Sequence, residues 1–134
     1  MGNDAAAETA LREAVRRQPD SILMQSELGQ FLQRRGNYQA AAECYGKAIA
    51  LQPTHALSHY NLANCKKEQG DRSGAVAELH IALRCKPEFA EGHKMLGRLL
   101  VEQGEKAEAV RELEQALRLD PGDSKVKELL EKVR

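Results

Sequence analysis

The chain has 134 residues, 42% of them apolar and only 4% aromatic, with no tryptophan. Lysine plus arginine and aspartate plus glutamate each total 20, so there is no whole-protein field to steer nucleic acid or an anionic membrane, and neither is expected as a partner. No apolar run approaches the roughly 18 residues that cross a bilayer, the opening MGNDAAAET lacks the basic and apolar regions of a signal peptide, and Ala6 stands where myristoylation needs Ser or Thr.

The apolar content is mostly Ala and Leu, the strongest helix formers, which predicts one all-α domain over residues 1–134. The first predicted element is a helix over Asp4–Arg17. Its Ala7, Leu11, Ala14 and Val15, and Pro19 after it, repeat a spacing found in the second half of each unit downstream. Residues 4–19 are therefore expected to be a lone second helix, a half repeat at the start of the array.

Three windows then align without a gap at a period of 34 residues: Ile22–His55, Ala56–Phe89 and Ala90–Asp123. Five positions are identical in all three: Leu28/Leu62/Leu96, Gly36/Gly70/Gly104, Ala41/Ala75/Ala109, Ala48/Ala82/Ala116 and Pro53/Pro87/Pro121. Each glycine follows a helical pattern and can take the left-handed conformation that ends a helix. Asn37 and Asp71 can cap the next helix, Glu105 less well. Each proline stops the second helix. Gly29, Ala63 and Gly97 are expected to face Ala41, Ala75 and Ala109 so that the two helices cross closely. Each window is thus two antiparallel helices, and no single pair can bury its apolar face alone, so neighbours must stack. Last, Val126, Leu129, Leu130 and Val133 fall on one stripe, predicting a capping helix over 124–134 with one wet face. About eight helices result.

This pattern, with Leu-Gly in the first helix, Ala in the second, another Ala seven residues on and a closing Pro, resembles the tetratricopeptide repeat (TPR) family. Departures lie at Gln25, His59 and His93, where the family has Trp, and at Leu32, Lys66 and Leu100, where it has Tyr. Some repeats, such as YNLANCKKEQG, also resemble those of the O-GlcNAc transferase array, although the asparagine expected along its groove reads Glu27, Asn61 and Met95 here. The resemblance implies a right-handed α-solenoid whose first helices line a concave groove; a cytoplasmic, reducing setting is expected from the three cysteines, whose odd count and spacing suit no disulfide framework. The resemblance also implies a protein-protein interaction scaffold or adaptor that holds a partner peptide or helix in that groove. The alternative is a self-association module, or a non-catalytic segment of a larger enzyme or complex; a start in mid-repeat would fit a piece of a longer array.

Carried onto this chain, the groove positions give the peptide-binding candidates Ser26, Gln30, Gln33, Tyr60, Asn61, Asn64, Lys67, Lys94 and Arg98. Leu23, Leu57, Glu91 and Val101 fall at further groove positions. The early part is neutral and amide-rich, and amides can pair with a partner's backbone. The later part is cationic and could meet carboxylates, so the ligand is expected to be a protein or peptide, acidic at the end over the third repeat. The five-residue clamp that some family members use on chaperone C-termini would fall on Ser26, Gln30, Asn61, Glu91 and Met95, where only Asn61 matches.

Catalytic chemistry is not expected. His55 and His59 are spaced to share a metal but lack a third ligand. His59 and His93 occupy equivalent positions, as packing residues would, and His80 is expected at the surface. Cys44, Cys65 and Cys85 fit neither a disulfide framework nor a metal site and are expected to be buried small apolar residues. Dense Glu and Lys on the second helices should form i,i+4 pairs. No cofactor, metal or catalytic residue is assigned, and a monomer or weak dimer is expected.

Overall fold

The computed structural model describes residues 2–134. Among these, eight helices follow one another and no strand occurs: α1 Gly2–Arg17, α2 Ile22–Arg34, α3 Tyr38–Leu51, α4 Ala56–Glu68, α5 Arg72–Cys85, α6 Ala90–Gln103, α7 Lys106–Leu119 and α8 Ser124–Val133. Their ends have local causes. Gly36, Gly70 and Gly104 sit at φ of 79°, 85° and 80°, where a side chain would be strained. The side chains of Asn37 and Asp71 accept from the backbone N–H of Ala40 and Gly74 at 3.3 and 2.9 Å; Glu105 makes no such bond. Gln52, Lys86 and Asp120, each before a proline, are pushed out of the helical region.

Packing runs along the chain. The main contacts join consecutive helices, most extensively within the hairpins α2/α3, α4/α5 and α6/α7. The core is accordingly a file of three clusters: Leu28, Leu32, Ala41 and Tyr45 in the first, Ala63, Leu79, Leu96 and Leu99 in the second, Leu113, Val126 and Leu130 in the third. Each hairpin is stabilised by its neighbours, as a linear repeat array requires.

At Gly29 and Gly97 of the first helices the nearest neighbour is a larger side chain than the alanine expected there. A Cβ placed on Gly29 would lie 2.8 Å from Cε1 of Tyr45, and one on Gly97 would lie 2.7 Å from Cδ2 of Leu113. The notch receives the large side chain one turn beyond the invariant alanine, on the same helix face. Of the pairs expected on second helices, those three or four residues apart occur, among the described residues, in α1, from Glu8 to Arg12 and from Glu13 to Arg16 and Arg17. On α5 and α7 the contacts bridge helices instead, Arg72 to Glu102, His80 to Glu108 and Glu114 to Arg134. His80 is half-buried.

One cysteine expectation is also corrected. Cys44 and Cys65 are buried, but Cys85, the last residue of α5, is exposed. Burial pushes the Cys44 thiol up, and the Cys65 thiol up to about 11. Since the thiolate is the reactive form, iodoacetamide at pH 8 should alkylate Cys85 alone in the native protein and all three thiols in denaturant. Rapid modification of Cys44 or Cys65 in the native state, seen by peptide mass mapping, would contradict this packing.

Candidate peptide-binding groove

The first helices α2, α4 and α6 lie side by side, and two adjoining cavities open between them. The one between α2 and α4, about 480 Å³, is lined by Gln30, Gln33, Asn61 and Asn64 together with Arg34, Tyr38 and Glu68. The one between α4 and α6, about 220 Å³, is lined by Tyr60, Lys67, Lys94 and Arg98 together with Glu91, Met95, Leu99 and Glu102. Ser26 is half-buried on α2 and lines neither. Tyr38 belongs to a second helix. It reaches the cavity because α3 begins directly after the turn at Gly36, a position that the first-helix spacing does not sample.

Local bonds sort these residues. Gln33 accepts a hydrogen bond from the Tyr45 hydroxyl at 2.6 Å, so the amide is oriented by the core below it. Lys94 donates to Asp123 at 2.8 Å, and that bond holds the Asp123 carboxyl below its ordinary range. Asp123 also accepts from the N–H of Val126 and so caps α8. Lys94 is therefore a compensated charge, whereas Arg98 is exposed and has no ion-pair partner among the described residues. Lys67 has only its neighbour Glu68, at 3.6 Å. Tyr60 stacks at a tilt on Phe89, centroids 5.0 Å apart; burial raises its hydroxyl above its ordinary range, and Glu91 adds to this.

Beneath the groove the residues at the family's Trp position form a recurring polar unit. His59 Nε2 donates to the Pro53 carbonyl at 2.8 Å while Nδ1 meets Glu78 at 2.8 Å. His93 repeats this with Pro87 at 2.7 Å and Glu112 at 2.6 Å. The imidazole thereby ties the first helix to the proline ahead of it and to the second helix. In the first repeat Gln25 reaches the Pro19 carbonyl at 3.5 Å, but Cys44 stands where Glu78 and Glu112 do, and Gln25 Oε1 is buried without a partner. Among the described residues no three His, Cys, Asp or Glu side chains gather as a metal site needs. No described helix is long and apolar enough to cross a membrane.

Stacked antiparallel hairpins with an open face of first helices define a helical solenoid. Profiles described as TPR repeat and tetratricopeptide repeat match residues 32–70 and 68–133, and the chain belongs to the tetratricopeptide repeat family. The crystal structure of MamA superposes with a TM-score of 0.91 at 20% identity, over 98% of this chain and 77% of that one. The first TPR of Spaghetti (RPAP3), bound to an HSP90 peptide, gives 0.80 at 20% identity, over 84% and 91%. These likenesses establish the right-handed TPR solenoid. No curated protein matches the chain.

Proposed function

We propose that this chain is a protein-protein interaction scaffold that holds an extended peptide of a partner along α2, α4 and α6, with acidic residues over the α4–α6 cavity. The observation that carries this reading is the contrast between the two linings: four amides with Arg34 and Glu68 in the first, and in the second three cations against the two carboxylates Glu91 and Glu102, with Arg98 free of an ion pair among the described residues. Asn and Gln each offer donors and an acceptor to a peptide backbone, and a guanidinium can take a carboxylate bidentately. Leu23 and Leu57, 62% and 45% exposed near the starts of α2 and α4, add apolar surface for a partner's side chains. The Spaghetti relative offers a parallel, for the peptide it holds, SRMEEVD, carries two glutamates and an aspartate.

The charges separate two roles. Because Asp123 already compensates Lys94, Arg98 should dominate recognition of an acid, with Lys67 second. A capped octapeptide with three glutamates should bind at least tenfold more tightly than its glutamine counterpart, a difference of about 1.4 kcal/mol. Arg98→Glu should abolish that preference, while Lys94→Ala should change it less. Raised salt should narrow the gap, since exposed charges are screened. Calorimetric titration giving both peptides equal affinity would remove the acidic-ligand reading.

A further inference from the structure

A second cleft lies on the side formed by second helices, where α1 and α3 meet the start of α2. It encloses about 560 Å³ among Val15, Pro19, Gln25, Lys47, Ala50 and Leu51, with Arg16 at its rim. Two independent observations mark it as more than a packing gap. Gln25 is 2% exposed, and its Oε1 accepts from nothing, whereas the histidines at its register have both ring nitrogens bonded. A buried acceptor without a donor carries its desolvation penalty uncompensated. Ala50 leaves the rim of the cleft low, where the same register holds the exposed Arg84 and Arg118 in the following repeats. Leu51 is 39% exposed beside it.

We propose that this cleft is a second peptide-binding site, for a segment with a leucine-sized side chain flanked by an acidic residue. The apolar side chain enters between Val15, Pro19, Ala50 and Leu51. A backbone N–H of the segment donates to Gln25 Oε1, which a rotation of the terminal amide turns outward at the expense of the long 3.5 Å contact from Nε2 to the Pro19 carbonyl, that torsion being soft. The flanking carboxylate meets Lys47, which is exposed and has no ion-pair partner among the described residues, while Arg16 is held by Glu13. The orphaned acceptor selects the ligand class. An ionised fatty acid would fill the apolar part but has no donor for Gln25, whereas every non-proline residue of a peptide has one. The groove lies on the first helices, so both sites can be filled at once.

The test is an NMR titration with a capped hexapeptide of two leucines followed by two aspartates between terminal glycines, run beside decanoate. The peptide should shift the Leu51 methyls and the Gln25 side-chain amide. Ala50→Arg should weaken it at least tenfold yet melt like the parent protein, because arginine occupies that register in the next two repeats. Lys47→Glu should also weaken it, and Arg98→Glu should leave it unchanged. The proposal is overturned if neither residue shifts at millimolar peptide, if the shifts fall only on α4 and α6, if both Ala50→Arg and Lys47→Glu bind as well as the parent, or if decanoate shifts the same resonances at lower concentration than the peptide.

Discussion

Tyr45→Ala should cost about 3–5 kcal/mol, as emptying a buried aromatic position does, a large share of the 5–15 kcal/mol that holds a typical domain folded. Tyr45 is fully buried, and its ring fills the notch left by Gly29 at 2.8 Å from where a Cβ would be. No neighbour can collapse into that volume without moving α2 against α3. Two control substitutions divide the effect. Tyr45→Phe removes only the bond to Gln33 and should cost about 1 kcal/mol. Tyr45→Leu installs the residue that Leu79 and Leu113 supply at this register and should fall between the two. The loss should also be local. Tyr45 belongs to the first cluster, while α5 to α8 keep their own, so urea denaturation followed by circular dichroism should lose its single sharp transition in Tyr45→Ala, with α1 to α3 melting first. A uniform shift of one cooperative transition would show instead that the array behaves as a single core.

The same contact marks a limit of what the sequence discloses. Identity across the windows points to residues that cannot vary: Gly36, Gly70 and Gly104 at positive φ and the prolines just beyond α3, α5 and α7 are constrained by the backbone itself, which is why the all-helical repeat fold was legible. The position that receives the notch reads Tyr45, Leu79 and Leu113. Its bulk is shared but its identity is not, so identity across the windows does not mark it. The groove was legible in a coarser way. Register places eight of the nine candidates beside the two cavities, but it has no term for Asp123, which lies 29 residues beyond Lys94 and compensates its charge. Nor does periodicity distinguish Cys85 from Cys65, because a residue on the final turn of a helix escapes the burial its spacing implies.

The second large effect concerns His93 and Glu112. A carbonyl oxygen can only accept, so Nε2 of His93 donates to Pro87, while Nδ1 lies 2.6 Å from the Glu112 carboxyl. Both side chains are largely enclosed, at 11% and 19% exposure. His93→Gln supplies one amide for two acceptors and must abandon either the carbonyl or the carboxyl, at a cost of about 2–3 kcal/mol. Glu112→Cys leaves Nδ1 without a partner, at a cost of about 1–3 kcal/mol. The double variant should cost less than the sum by about 2 kcal/mol, within the range for residues in direct contact. The chain already contains the double variant, since Gln25 and Cys44 hold these positions in the first repeat, where the glutamine reaches Pro19 alone. Chemical denaturation of the parent, both singles and the double gives the coupling directly. Strict additivity would mean that the histidine and the glutamate stabilise the hairpin separately, and that their recurrence at His59 and Glu78 has another cause.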